Sequence, residues 1–192
     1  MGELPTPADR VHVHTRRLHF ECYSRTDGLW DIEGELRDTK AYALDTYDGV
    51  HLAPGEAIHH MKIRMTIDDD LHVRGVEVVM VAAPFAQCQG AVPPVQGLVG
   101  ACLGKGWRNA IEEQLGKVKG CTHLRELLFN MATAAYQAVP HYNEFVRGVI
   151  PVDDGKPPAH LGTCMSWDFN GPAVRRIAPR FFGYRKVEDQ AK

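Results

Sequence analysis

Residues 18–37 read LHFECYSRTDGLWDIEGELR, and this stretch decides the fold of the N-terminal part of the chain. Apolar and polar side chains alternate on both sides of Asp27-Gly28. An Asp-Gly pair between two alternating stretches is a strong signal for a tight β-hairpin. The sequence therefore predicts that residues 18–23 and 29–37 pair as antiparallel strands.

A second hairpin is predicted in the middle of the chain. From residue 58 onwards the pattern alternates again, so that His59 and Met61 share an apolar face and His60 and Lys62 lie on the other. Three aspartates at residues 68–70 mark the turn, and the return strand is expected over residues 71–83.

Helical spacing follows the second hairpin. Apolar residues at positions 95, 98, 99 and 102 predict a short helix from Pro94 to about Gly104, and a second helix is expected over residues 107–115. The clearest helix begins after Cys121 and is expected to end at Pro140. Beyond it the pattern predicts a helical turn at 142–147, a linker at 153–158 and a hairpin around Asn170-Gly171.

The fold class that these elements predict is α+β. An antiparallel sheet is built from the N-terminal and central hairpins and is packed by two or three helices. We expect a single domain over residues 1–192, with a hairpin extension at 10–56, a core at 57–140 and a C-terminal extension at 141–192.

Composition excludes several classes of protein. The 192 residues are 44% apolar, and 22 Lys and Arg stand against 24 Asp and Glu, a net charge of −2 that gives no support to a nucleic-acid partner. Apolar stretches of about ten residues are too short to cross a bilayer. No signal peptide is recognisable, so we expect a cytoplasmic protein, whose five cysteines do not form a disulfide scaffold.

Three residues are predicted to meet at one metal site. His59 begins a strand, Cys88 lies in the loop after the next strand, and Cys121 begins the long helix, where exposed amide groups favour a thiolate. One histidine and two cysteines suit a single zinc or iron ion per chain. His123 is expected to be a fourth ligand or a proton shuttle.

Further candidates for acid–base chemistry are His60 and Glu126. His60 lies beside His59 on the opposite face of the strand, and Glu126 lies one helical turn after His123, where it could orient the imidazole. Cys164 has no assigned partner in the sequence.

Two resemblances to known families accompany these patterns. Residues 23–34, YSRTDGLWDIEG, together with IHHM at 58–61 and GCTHL at 120–124, resemble the bacterial family called domain of unknown function 2889, over about residues 10–180. This resemblance implies small-molecule metabolism, because members of the family look like companions of gene sets for the catabolism of aromatic, steroid-like or acyl compounds.

The second resemblance covers residues 57–140 and concerns the order of the motifs. This segment is similar to the iron-sulfur scaffold proteins of the IscU and NifU type. The resemblance implies an IscU-like core with Cys88, Cys121 and His59 at cluster-ligand positions. Ala57 stands where those proteins have their first cysteine, and Gly120 stands where they have a histidine before their third cysteine. A single ion agrees with these differences better than a bridged cluster does.

The leading functional expectation is a metal-dependent enzyme of small-molecule catabolism, a lyase or hydrolase that acts on an oxygenated aromatic or acyl compound. A non-catalytic protein that handles metal or iron-sulfur clusters is the first alternative. A metal-free, thiol-dependent protein is the second. The expected partner is a small-molecule substrate, and self-association into a homo-oligomer is left open.

Overall fold

The computed structural model describes residues 4–149 and 154–184, which belong to two compact units that divide at about residue 150. The first unit contains both predicted hairpins and the long helix. In the second, the described residues 154–184 contain only short helical segments.

The N-terminal hairpin forms as predicted, with longer strands. Strands β1 (His14–Ser24) and β2 (Trp30–Lys40) pair antiparallel over their full lengths. The Arg25 N–H donates to the carbonyl oxygen of Leu29 at 2.9 Å. Gly28 has a φ of 86°, a left-handed conformation that glycine adopts without strain, and this explains why the turn uses Asp-Gly.

The central hairpin is also confirmed. A small two-stranded sheet, β3 (Leu44–Asp45) with β4 (His51–Leu52), precedes strands β5 (Ala57–Ile67) and β6 (Val73–Ala82). Strand β5 pairs antiparallel with β2 on one side and with β6 on the other, so the main sheet has the order β1-β2-β5-β6. The turn at residues 68–72 closes where the three aspartates predicted it.

The two faces of the main sheet differ in polarity. Apolar side chains of β2 and β5 are buried on one face, which we call the inner face, and Ile32, Leu36, Met61 and Ile63 are at most 1% exposed there. The outer face carries charged residues, such as Glu33 paired with Arg64. The alternation read from the sequence therefore assigned the two faces correctly.

The predicted helix between Pro94 and Gly104 is wrong. Two 3₁₀ helices, Ala86–Ala91 and Pro93–Leu98, occupy the region, and the chain after them runs beside the edge of the sheet, where the Val73 N–H donates to Ala101. Consecutive prolines and nearby glycines favour short turns over an α-helix. Val95 and Leu98 are nevertheless fully buried, as the spacing predicted.

Two α-helices complete the described part of the first unit, residues 4–149. Helix α1 (Trp107–Leu115) has the predicted bounds, and α2 (Thr122–Phe145) packs over β1 and β2 on the inner face. Gly34 permits the close approach of α2, because a Cβ at this position would lie 3.2 Å from Met131 and from Phe20. The N-terminus of α2 consequently lies over one end of the sheet.

Helix α2 continues past Pro140, where the sequence predicted its end. The predicted turn at 142–147 is therefore largely its last turn. Proline removes one intrahelical hydrogen bond, but tertiary contacts anchor the following residues. Asp69 accepts hydrogen bonds from Asn143 at 2.9 Å, Arg147 at 3.2 Å and the indole N–H of Trp30 at 2.9 Å.

The second unit, described over residues 154–184, contains one short helix, α3 (Pro172–Ile177), and a small core formed by Leu161, Val174 and Phe181. The hairpin predicted around Asn170-Gly171 is wrong, because Pro172 begins a helix at this point and proline favours the first helical position. Residues 154–158 are irregular, as predicted for a linker, and residue 153 lies outside the described residues.

The predicted α+β class with an antiparallel sheet is confirmed. The 10–56 segment is not an appendage, since β1 and β2 make up half of the four-stranded sheet. Among the described residues, no helix has the length and apolar character that a membrane span requires.

Candidate functional site

One cross-strand row of the inner face is polar. In the strand register, Arg16 of β1 lies opposite Asp38 of β2, which lies opposite His59 of β5. The next row on the inner face contains Leu18, Leu36 and Met61. Polar groups therefore gather at one end of an otherwise apolar face.

Asp38 is at the centre of this row and is only 1% exposed. Arg16 binds it through two hydrogen bonds, Nε to Oδ1 at 2.8 Å and Nη2 to Oδ2 at 2.7 Å. The same guanidinium group donates from Nη1 to Glu126 of α2 at 2.5 Å. A bidentate arginine holds the buried carboxylate in a fixed orientation.

Two imidazoles converge on Oδ2 of this carboxylate, and a third, that of His14 in β1, lies with its Nε2 3.5 Å from Oδ1. Nδ1 of His59 lies 3.1 Å from Oδ2 of Asp38, and Nε2 of His123 lies 3.7 Å from that oxygen. His123 comes from the first turn of α2, so its position depends on how the helix is placed over the sheet. The ring centroids of His59 and His123 are 3.9 Å apart.

Electrostatics keep the site in a defined protonation state. Burial, together with the charges of His59 and Arg16, lowers the pKa of His123 to about 4, although Asp38 acts in the opposite direction. Burial also lowers the pKa of His59, and nearby Asp38 offsets only part of this effect. Burial alone would raise the pKa of Asp38, but hydrogen bonds and charge from Arg16 outweigh it, so the pKa of Asp38 is below its usual value. At neutral pH Asp38, His59 and His123 thus supply one carboxylate and two uncharged imidazoles.

This arrangement has the dimensions of a metal site. One potential ligand atom each from Asp38, His59 and His123 lie within 4.8 Å of one another. Two ligand atoms bonded to tetrahedral zinc at about 2.1 Å are about 3.4 Å apart, so small adjustments would bring all three to one ion. Two histidines and a carboxylate are typical of zinc enzymes and of non-haem iron sites with open coordination positions.

A cleft of about 620 Å³ opens beside the two histidines. Four residues that the sequence predicted as metal ligands line it, namely His59, Cys88, Cys121 and His123. The structure therefore brings the predicted set to one cleft, although the close group of ligand atoms contains Asp38 and neither cysteine. Ligation by Cys88 and Cys121 stays a prediction.

Cys121 lies immediately before the first turn of α2, with an extended backbone at φ −109° and ψ 133°. Its sulfur is 3.6 Å from Nδ1 of His123, on the ring edge that does not face Asp38. A Cβ at residue 120 would lie 2.7 Å from the carbonyl oxygen of Leu115, so glycine lets the chain just before Cys121 pass close to the end of α1. The thiol therefore contacts one ring nitrogen of His123 while the other points to the carboxylate.

The other predicted site residues do not belong to the close group of ligand atoms. His60 is on the outer face of β5, where its Nε2 lies 2.5 Å from Glu35. Glu126 contacts Arg16 and has no direct contact with His123 among the hydrogen bonds of the site. Cys164 is exposed and belongs to the second unit.

Arg16 and Asp38 were missed by sequence reasoning. The signal for Asp38 was present, because it continues the every-second-residue pattern of Trp30, Ile32 and Leu36 and so had to face the interior. A charged residue at such a position requires a partner. Nothing in the sequence indicated that Arg16 would be that partner.

Comparison with known proteins gives one family. No curated protein and no solved structure matches the chain, so the resemblance to iron-sulfur scaffold proteins rests on the order of motifs alone. A family model described as "Protein of unknown function (DUF2889)" matches residues 14–137, which contain Arg16, Asp38, His59 and His123. Because the match covers about two thirds of the chain, the protein belongs to this DUF2889 family.

Proposed function

We propose that the protein is a metal-dependent enzyme of small-molecule catabolism that binds one zinc or iron ion through Asp38, His59 and His123. The observation that carries this proposal is the convergence of the three ligand atoms within 4.8 Å at the side of a large cleft. Within residues 4–149 and 154–184, no other group of His, Cys, Asp or Glu side chains meets this criterion.

The charges around the site favour a divalent cation. Arg16 carries one positive charge, and its two carboxylate partners, Asp38 and Glu126, carry two negative charges. The lowered pKa values of both histidines leave uncharged imidazoles, the form that binds metal, at neutral pH. Arg16 would then act from outside the ligand set and orient Asp38, as hydrogen-bonded partners of metal ligands commonly do.

Three protein ligands leave a coordination position for substrate or water. A bound ion of this kind polarises a carbonyl group or makes a water nucleophilic at neutral pH. The proposed reaction is therefore that of a lyase or hydrolase on an oxygenated aromatic or acyl compound. In this proposal Cys121 and Cys88 are available as further ligands from the cleft, and His123 as a proton shuttle when it is not bound.

Elemental analysis tests the proposal directly. The protein is purified without a metal-chelating tag, beside Asp38→Asn, His59→Gln and His123→Gln, with His60→Gln as the matched control on the opposite face of β5. We expect about one equivalent of zinc or iron in the wild type and in His60→Gln, and loss in the other three variants. A folded wild-type protein that takes up neither metal would refute the proposal.

The same measurement on Cys88→Ser and Cys121→Ser tests the predicted cysteine ligands. Loss of metal in both variants would extend the ligand set to the residues predicted from the sequence. Full metal content in both would restrict it to Asp38 and the two histidines.

A second candidate function is thiol-dependent chemistry without a metal. The 3.6 Å contact between Cys121 and His123, with Asp38 on the far side of the imidazole, has the order of groups found where a base activates a thiol. Alkylation of the chelator-treated protein with iodoacetamide tests it. A Cys121 that reacts much faster than Cys164, and slows in His123→Gln, would support this function, and equal rates would argue against it.

Handling of metal or iron-sulfur clusters without turnover is the remaining alternative. Cys88 and Cys121 line the same cleft, which is the observation in its favour. Reconstitution with iron and sulfide distinguishes it, since a cluster gives visible absorption that a single zinc ion does not. Absorption lost in both Cys→Ser variants would support this alternative.

A further inference from the structure

We propose that the cleft beside His59 and His123 binds a monocarboxylate with an extended apolar body. The carboxylate faces the two histidines, and the apolar body lies against the wall formed by Met80, Phe85 and Val118. The position of the carboxylate beside a metal ion rests on the proposed function.

The wall of the cleft is largely apolar. Its lining includes Met61, Met80, Ala83, Phe85 and Val118. Phe85 is 40% exposed and Val118 is fully exposed, so apolar surface of both residues stays uncovered in the fold. A volume of about 620 Å³ is within the usual range for small-molecule sites, which are mostly apolar with a few placed polar groups.

The charge of the lining favours an anionic head group. Among the described residues that line the cleft, Lys119 is the only Lys, Arg, Asp or Glu. Its Nζ donates to the backbone carbonyl oxygen of Glu113 at 3.0 Å. This contact does not involve the Glu113 carboxylate and so does not neutralise the positive charge of Lys119. A metal ion between the histidines would add to this positive field, and a carboxylate would complement both.

The apolar wall is held from outside by the loop between β3 and β4. The ring of Tyr47, which is 92% exposed, stacks on Phe85 with a centroid distance of 5.8 Å and an interplanar angle of 10°. Asp48 accepts a hydrogen bond from the backbone N–H of Ala86 at 3.3 Å. These two contacts hold Phe85 in the lining of the cleft, where 40% of its surface stays exposed.

A series of straight-chain carboxylates from butanoate to decanoate tests the inference by calorimetry. The series is titrated into zinc-loaded and metal-free protein. Each methylene that enters an apolar site contributes about 0.8 kcal/mol, so we expect the Kd of the wild type to fall about fourfold per added methylene until the wall is covered. Removal of the metal should weaken all members of the series by one common factor.

Four variants distinguish the cleft from unspecific binding. Phe85→Ser should reduce the dependence on chain length, whereas Phe145→Ser, which removes an exposed aromatic ring at the other end of α2, should not. Lys119→Gln should raise the Kd of carboxylates of every chain length by about fivefold. Lys117→Gln, two residues earlier and outside the lining, should leave the Kd unchanged.

The two proposals fail separately. A protein that binds zinc but shows a Kd independent of chain length, or a chain-length dependence that Phe85→Ser leaves unchanged, overturns the inference about the cleft. A protein that takes up no metal but keeps the chain-length dependence and its loss in Phe85→Ser supports the apolar cleft and overturns the metal site.

Discussion

His123 should make the stability of the metal-free protein depend on pH between 7 and 5. Its pKa in the folded protein is lowered to about 4, whereas an imidazole in the unfolded chain has a pKa of about 6.5. Between these values the unfolded state binds a proton that the native state does not. The free energy of unfolding therefore falls as the pH falls from 7 towards 4.

The size of the effect follows from the two pKa values. At pH 5 an unfolded imidazole is almost fully protonated and the native His123 is not, which lowers the free energy of unfolding by about 2 kcal/mol relative to pH 7. His59 acts in the same direction, because its pKa is also lowered. Asp38 contributes little in this range, because its lowered pKa leaves it ionised in the folded protein and a free aspartate is mostly ionised as well.

Urea denaturation of chelator-treated protein at pH 7 and pH 5 measures this effect. The wild type and the control variant His60→Gln should lose about 2 kcal/mol more between the two pH values than His123→Gln does. The comparison uses the change with pH within each variant, so a general loss of stability in His123→Gln does not affect it. Equal losses in all three proteins would refute the reasoning about the buried imidazole.

Three further perturbations test other parts of the structure. Asp38→Asn should lower the free energy of unfolding by about 2–4 kcal/mol, because Arg16 loses a buried charged partner, and calorimetry at pH 7 checks this. Gly34→Ala should lower the free energy of unfolding by about 1–3 kcal/mol, because the new Cβ would lie 3.2 Å from neighbouring side chains, which would have to move apart. The control Gly75→Ala, whose new Cβ would have its nearest neighbour at 3.9 Å, should lower it less. Similar thermal midpoints for the two variants would contradict the close approach of α2. Asp69→Ala should speed hydrogen exchange of the backbone amides after residue 140, because three side chains lose their shared acceptor, and unchanged exchange there would show that other contacts hold the end of α2.

Local patterns were sufficient for most of the sheet and much of the helical content. Alternation identified both hairpins and both faces of β5, and the Gly-flanked spacing of residues 107–115 gave the bounds of α1. Two errors, the helix after Pro94 and the hairpin at Asn170-Gly171, reflect local proline preferences, and the third falls where tertiary contacts outweigh local preference. Helix α2 continues through Pro140, and Asp69, which is distant in sequence, binds Asn143 in its last turn and Arg147 just after its end.

Some residues of the candidate site could likewise be predicted from local patterns, and others could not. His59, Cys88, Cys121 and His123 could be selected from the sequence because each stands at the start or end of a regular element, and such positions meet at one end of a layered fold. Asp38 carried a usable signal in its inward-facing position. Arg16 carried none, because the identity of a charged partner depends on the register between strands and on the path of α2.

The amino-acid sequence by itself determined the α+β class, the two hairpins and the group of histidines and cysteines around one cleft, because periodicity and turn chemistry act over a few residues. Only the tertiary structure decided which atoms approach each other. Strand register placed Arg16, Asp38 and His59 in one row, and the packing of α2 over Gly34 brought His123 to them. The close approach of these side chains results from the packing of the whole unit, and no local pattern encodes it.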